Sequence, residues 1–380
     1  MRLTARELNR ATLTRQLLLQ RQMLDVAEGA RRVVALQAQH AASPYLALWN
    51  RLAGFEPADL DAAFADRKIV KATLLRITLH AVHAEDYPPF HEAMQPSLRA
   101  ARLGDRRFTG SGLTAADADA LVGELLAFAD RPRTAAEIQT WIQARLGVPP
   151  KGVWWALRSY APLLHAVTGR PWSFGARPAY VAAGIAPTLG TAADQALKTL
   201  VLRYLEGFGP ASVADVAQFA LVSRSRARGA MDALAGALER LTGPDGTELF
   251  DLPGAPRPAA DTPAPPRLLP MWDNILLAYA DRSRVIPPDY RKVVTRSNGD
   301  VLPTLLVDGA VAGVWRPVEG GIEATAFHPL PSRTWEELAG EAQALLALLA
   351  GREPDVYRRY DRWWAAMPSA EVRILPEEGP

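Results

Sequence analysis

The feature that most narrows the possible folds is a helix-start signal that recurs along the chain. Thr4-x-x-Glu7, Thr114-x-x-Asp117 and Thr191-x-x-Asp194 each set a hydroxyl three residues ahead of a carboxylate. At a helix N-terminus the hydroxyl accepts from an orphan backbone amide, and the acid complements the helix dipole. About 20 residues after each start a second follows: near Leu24, at Thr134-x-x-Glu137 and at Ser212-x-x-Asp215. A third helix completes each set. Ser43-Pro44 opens one, with proline at the first helical position. Lys151 to Ala161 forms another, and Arg224 to Leu241 the last.

Extended segments follow these helices. Ile77, Leu79 and Ala81 alternate with Arg76, Thr78 and His80, the pattern of a half-buried strand. Leu163 to Val167 and Tyr180 to Ala183 flank the turn-prone Gly169-Arg170-Pro171, as in a hairpin. Three helices and a hairpin make a winged helix, a variant of the helix-turn-helix. Capping boxes are short and arise by chance, so an unrelated helical array is the alternative. The agreement in spacing across three sets favours three tandem winged helix-turn-helix units.

The stretch 251–270 holds seven prolines and suits an extended linker or a long meandering connection. The chain beyond it is rich in strand signals. Asn298-Gly299 and Asp308-Gly309 are two-residue hairpin turns. They separate Arg291–Arg296, Val301–Val307 and Ala310–Trp315, with Ile322–Phe327 as a fourth strand. Pro303 belongs on an edge or at a bulge. Thr334-x-x-Glu337 then opens a helix that stops at Gly351. The fold class is therefore α+β, with a small antiparallel β-rich C-terminal domain. The expected divisions are 1–110, 111–190, 191–270 with the Pro-rich connection, and 271–380.

Charge distribution separates the halves. Residues 1–110 hold 16 Lys and Arg against 11 Asp and Glu, and residues 111–190 hold 7 against 5. The remainder is acidic, so the overall charge is only +2. Nearly all the cations are arginines, which suit bidentate phosphate contact, although an Arg- and Ala-rich chain also reflects genome composition. The basic N-terminal half permits an anionic partner. No cysteine is present, which excludes disulfides, Cys-ligated zinc and thiol nucleophiles. The charged N-terminus resembles no signal peptide, and no apolar run is long enough to span a membrane. A cytoplasmic protein is expected.

Few side chains form a catalytic pattern. His80, His83 and His91 lack zincin spacing, and on a strand His80 and His83 point to opposite faces. Ordinary hydrogen-bonded histidines are the expectation, with no metal and no cofactor. Phosphate-binding glycine loops, nucleophile elbows and dinucleotide fingerprints are absent. Arg99, Arg102, Arg106 and Arg107, near Gly104 and Gly110, are either a phosphate cluster or a solvated surface. Gln37-Ala38-Gln39 stands out. The apolar stripe Leu24, Ala27, Ala30 and Val34 would carry Gln37 to the buried side, where an amide needs partners. Residues two apart share a side only in extended chain. Both amides can face one cleft only if the helix ends here. Two glutamines tying together the turn of a helix-turn-helix are the alternative.

The run Leu36-Gln37-Ala38-Gln39, with Ser43-Pro44-Tyr45 and Leu48-Trp49-Asn50-Arg51, resembles a bacterial family of winged-helix DNA glycosylases that act on interstrand crosslinks and bulky N7-alkylpurines. Thr78-Leu79-His80 with Asp86, Arg267-Leu268-Leu269-Pro270 through Asp273, and Asp281-Arg282-Ser283-Arg284 extend the resemblance. Val307-Asp308-Gly309 through Gly313-Val314-Trp315 carry it to the C-terminal region, so it covers essentially the whole chain. Gln-x-Gln is similar to the AlkZ type rather than to the Gln-x-Asp of the YcaQ-like branch. The resemblance implies a C-shaped scaffold with a positive concave surface for duplex DNA. It also implies catalysis by Gln37 and Gln39, a role in self-resistance to azinomycin-type crosslinkers, and a C-terminal β-hairpin that approaches the DNA. The region from Arg282 to Gly299 is the candidate for that hairpin. Candidate DNA contacts are Arg67, Lys71, Arg224, Arg226, Arg228, Arg282, Arg284, Arg291 and Lys292. The expected partner is lesion-bearing duplex DNA, met by a monomer in the bacterial nucleoid. The competing function is a winged-helix transcriptional regulator without catalysis. Such a protein usually reads half-sites as a symmetric dimer, and no dimerisation helix is evident.

Overall fold

The computed structural model describes residues 1–376 other than Val148. The first third contains α1 (Ala5–Arg15), α2 (Val26–Arg32), β1 (Leu36–Gln37), α3 (Ser43–Trp49), α4 (Pro57–Ala65), β2 (Ile69–Thr73), β3 (Leu79–His83), α5 (Tyr87–Leu103) and α6 (Arg106–Thr109). Next come α7 (Ala115–Phe128), β4 (Arg133–Thr134), α8 (Ala135–Leu146), α9 (Pro150–Tyr160), β5 (Leu163–Ala166) and β6 (Ala179–Ala182). Then follow α10 (Ala193–Phe208), α11 (Val213–Ala220), α12 (Arg224–Ala233), β7 (Glu239–Thr242) and β8 (Glu248–Asp251). The C-terminal part holds β9 (Arg267–Leu269), α13 (Arg291–Val294), β10 (Thr304–Val307), β11 (Ala310–Val318), β12 (Gly321–Ala326), α14 (Ser332–Ala350) and β13 (Glu371–Leu375).

One pattern repeats three times. A helix is followed by a very short strand, two helices and a hairpin, and the short strand pairs with the hairpin's second strand. In the first unit β1 pairs with β3, in the order β1-β3-β2. In the second β4 pairs with β6, in the order β4-β6-β5. In the third the short strand is reduced to a single bridge between Ala211 and Phe250 on β8. Three winged helices are present.

The helix caps align this repeat only in part. Capping boxes form at Thr4, Thr114, Thr134 and Ser212, each with both reciprocal bonds. Thr191 caps nothing. α10 starts after Ala192, whose amide donates to Glu92 Oε1 at 2.6 Å, so α5 supplies the acceptor instead. In the first unit the strand order makes α2, α3 and α4 the three helices. α1 precedes the unit and packs on α10, so its cap mimics a first-helix signal. Thr334 lies inside the first turn of α14, which begins at Ser332. α12 stops at Ala233, because the chain must turn to form β7 and β8.

In the C-terminal region Asp308 (φ 49°) and Gly309 (φ 81°) make the expected hairpin turn between β10 and β11. A Cβ on Gly309 would lie 2.4 Å from Asn9 Oδ1, so only glycine allows the turn to rest on α1. Asn9 donates to Gly309 O at 2.7 Å and Arg10 to Asp308 O at 3.0 Å. Five antiparallel strands form the sheet β13-β12-β11-β10-β9, covered by α14. The strand expected over 291–296 does not form. Arg291–Val294 are helical, because Pro287 and Pro288 preset a helical turn and withhold strand donors. The Pro-rich stretch is a connection pinned to α1, with Arg6 donating to Ala260 O and Arg10 to Thr262 O. A contiguous apolar core runs from Leu13 to Leu375. Among the described residues no helix is long and apolar enough to cross a membrane.

Candidate active site

α2 ends at Arg32, and Val34 turns the chain with φ 73° into β1. The helix therefore stops before Gln37, the condition under which two glutamines two apart can share a side. Gln37 pairs with His80 across the sheet, and Ala38 donates to Leu79 O at 2.8 Å. Leu36 and Ala38 point into the core. Gln37 is 6% exposed, whereas Gln39 is exposed. The pair is asymmetric.

Gln37 Oε1 accepts from Arg76 Nη2 at 2.8 Å. The same nitrogen lies 3.1 Å from His80 Nε2 and 2.9 Å from Asn274 Oδ1. Asn274 Nδ2 in turn donates to Ala35 O, on the chain leading into β1. His80 Nδ1 faces Thr78 O at 3.1 Å, so it carries the proton and Nε2 accepts from Arg76. Burial, then the nearby Arg76 charge, hold His80 well below the ordinary imidazole pKa, so it stays neutral. Burial, with Arg282 nearby, pushes Arg76 down to about 9. Gln37 also borders a void of about 10 Å³, the size of one water, shared with Ser43, Arg51 and Asn274.

Gln39 lies on the wall of a cleft of about 600 Å³ between the first and second units. Its Oε1 makes one long contact, 3.4 Å from the Leu79 amide. Lys71, Arg102, Arg158 and Arg359 line the same cleft, with Trp172, Phe174 and Tyr180. Burial lowers Lys71 to about 8, and its Nζ sits 4.4 Å from the Phe174 ring centre. Burial, then Arg359 and Lys71, lower His40 to about 4. Arg102 is lowered by burial and by Arg158 and Arg107, the mark of cations gathered faster than carboxylates. Such a wall favours a polyanion.

Of the expected DNA contacts, only Lys71 shares a cleft with Gln39. Arg67 is exposed beside a neighbouring cavity that Lys71 also borders. Arg226 and Arg228 pair with Asp194 and Glu248, while Arg224 is exposed. Arg284 is tied inward, donating to Pro210 O and stacking on Tyr279, and Arg282 donates to Thr295. Arg291 and Lys292 are exposed on α13. The 282–299 region is a series of short turns rather than a hairpin, held by one bridge from Thr295 to Val301. His80, His83 and His91 do not gather. Among the described residues no group of three His, Asp or Glu could hold a metal.

Sequence patterns missed Arg76, Arg158, Arg359 and Asn274. An arginine in an alternating strand looks solvated, and nothing in the pattern reveals that the turn at 75–77 points it inward. The positive φ of Arg76 and Ile77, 53° and 58°, does this. Several motif residues prove to anchor the site. Asn50 donates to Leu268 O at 2.8 Å, and Arg51 meets Asp273 through two 2.8 Å bonds, both side chains buried.

Comparison with known proteins places this geometry in context. Residues 30–348 match the family model for the DNA glycosylase AlkZ-like proteins. A curated relative, an interstrand DNA cross-link repair glycosylase of Streptomyces sahachiroi, is 30% identical over 148 residues. The alignment covers 35% of this chain and 38% of that relative. The solved structure of the Streptomyces sahachiroi DNA glycosylase AlkZ superposes with a TM-score of 0.76 at 21% identity. That match covers 92% of this chain and 98% of the other.

Proposed function

The chain belongs to the DNA glycosylase AlkZ-like family, and from that premise we propose that it hydrolyses the N-glycosidic bond of N7-alkylated purines in duplex DNA and unhooks interstrand crosslinks. The supporting observation is Gln39 on the wall of an open, cation-lined cleft, one residue beyond a Gln37 held on its own strand. Alkylation at N7 makes the purine cationic, so the base departs neutral without an acid. What remains is to stabilise the sugar oxocarbenium and to hold water for attack. An amide is no base at neutral pH, yet its carbonyl can orient water and present a dipole to developing charge. A carboxylate is dispensable for such a substrate.

A crosslinked base is tied to both strands and cannot be rotated freely out of the duplex, as base flipping requires. A cleft open to the duplex suits it better. Lys71, Arg102, Arg158 and Arg359 would track the phosphates, giving salt-sensitive binding with little dependence on sequence. The blocks 1–110, 111–190, 191–270 and 271–380, action as a monomer in the cytoplasmic nucleoid, and protection against azinomycin-type crosslinkers belong to the same proposal. The test is incubation with N7-methylguanine duplex and with a crosslinked duplex. Free base and an abasic strand are expected, whereas a gel shift without strand change would mark a regulator.

A further inference from the structure

Arg76 is a buried cation for which base release, as proposed, has no use. Among the described residues no carboxylate pairs with it, and its Nη1 has no partner. Its guanidinium lies 5.4 Å from the Phe219 ring centre of the third unit. Burying a charge this way is costly, and removing it from so strained a turn would be easy. An isoleucine at φ 58° is an outlier for a β-branched side chain. The first wing holds this conformation, and with it Arg76 stays pressed against Gln37.

Arginine can only donate. The Gln37 atom facing it must therefore be the oxygen, and the Gln37 amide nitrogen must face away. At Gln39 the single 3.4 Å contact of an exposed side chain imposes no such orientation. We propose that Arg76 is a positioning residue that locks Gln37 as a hydrogen-bond donor to the attacking water, leaving Gln39 as the acceptor that takes a hydrogen bond from that water. The two glutamines then hold different jobs. The water-sized void at Gln37 lies where such a donor would act. In the step itself, the water oxygen bonds to C1′ while the C1′–N9 pair leaves on the base. The cationic purine departs neutral, and the water's spare proton passes to solvent. This assignment rests on the glycosylase reading.

Polarity-reversing substitutions separate the roles. A glutamate keeps the shape of glutamine and loses its donor. Single-turnover base release from N7-methylguanine duplex is measured for the full-length protein, with duplex affinity determined in parallel. If the wild type releases no base, the glycosylase reading fails. If the wild type is active, Gln37→Glu should slow release by about 100-fold or more, the scale of one lost preorganised donor, with affinity within about twofold. Gln39→Glu should stay within about tenfold of wild type. Arg76→Lys keeps a donor and should recover most of the rate. Arg76→Gln can both donate and accept, which frees Gln37 to turn, and the rate should fall with affinity unchanged. Equal losses for Arg76→Lys and Arg76→Gln, or an active Gln37→Glu, would overturn the proposal. Should the Arg76 variants fail to fold, the Gln37→Glu and Gln39→Glu pair decides alone.

Discussion

β1 and β4 occupy the same slot in two copies of one fold. Each is two residues long, and each pairs with the second strand of its unit's hairpin. In the second unit the slot serves local structure: Thr134 caps α8 through a reciprocal box with Glu137, and Arg133 donates to Phe128 O. In the first unit the strand does not cap the next helix. α3 begins at Ser43 with no side-chain cap, and five residues of loop intervene. The polar residues of this strand are thereby released from helix-making, and they meet Arg76 and the cleft instead. The same repeat supplies a fastener in one copy and a pair of chemical groups in the other.

The first slot also needs outside support that the second does without. Arg51 on the loop after α3 and Asp273 in the C-terminal region form a buried two-bond ion pair. The second unit's nearest analogue, Arg145 with Glu124, is exposed on both sides. Arg51→Ala leaves Asp273 buried and unpaired, and should lower unfolding free energy by about 3–5 kcal/mol. Arg145→Ala should leave the denaturant midpoint where it is. Parallel urea titrations of the two variants would sink the contrast if both shifts were equal.

Next in size is the effect on chemistry. Gln37→Ala and Gln39→Ala should each slow base release by about 100-fold, equivalent to about 2.7 kcal/mol of barrier. Thr134→Ala, in the matching slot, should leave the rate unchanged. If both glutamine variants release base at the wild-type rate, the proposed centre is wrong. If Thr134→Ala alone is impaired, the two slots have been assigned the wrong way round.

These contrasts show which parts of the molecule local sequence encodes. Four capping boxes, the 163–183 hairpin and the Asp308-Gly309 turn are legible because each depends on residues within a few positions of one another. β2 is not legible, since Ile69–Thr73 is a short run that its neighbours could extend as helix or strand. Thr191 and Thr334 carry the right letters, yet a glutamate from α5 and an earlier helix start displace them. Gln37 and Gln39 stand out as polar residues on an apolar path. Arg76 does not, because its meaning depends on a left-handed turn and on Asn274 almost 200 positions away. The glutamines are visible in the sequence; what orients them is visible only in the fold.

Acid offers a smaller and separable effect on the first wing. His80 is fully buried, and its pKa lies well below the 6.5 it would have unfolded. The unfolded chain binds the proton more readily, so His80's contribution is intact above pH 6.5 and is lost as pH falls below it. Between pH 7.5 and pH 5 this one residue should account for about 2 kcal/mol of lost stability. His80→Gln can still accept from Arg76 and donate to Thr78 O without titrating. Its denaturation curves should therefore depend less on pH than those of the wild type. An unchanged slope would show that His80 can be protonated in place.

The smallest expected effect returns to the second slot. Thr134→Ala removes the acceptor for the Glu137 amide, 3.2 Å away, and unties Glu137 from the Thr134 amide and hydroxyl. An exposed N-cap of this kind is worth about 1 kcal/mol. Thr134→Ser should recover that loss, because a serine hydroxyl reaches the same amide. A thermal melt that reports about the expected loss for alanine, recovery for serine, and unchanged base release for both would confine β4 to structure. Loss of base release with the cap restored by serine would mean instead that the second wing contributes directly to the cleft chemistry. The division of labour between the two strands would then have to be redrawn.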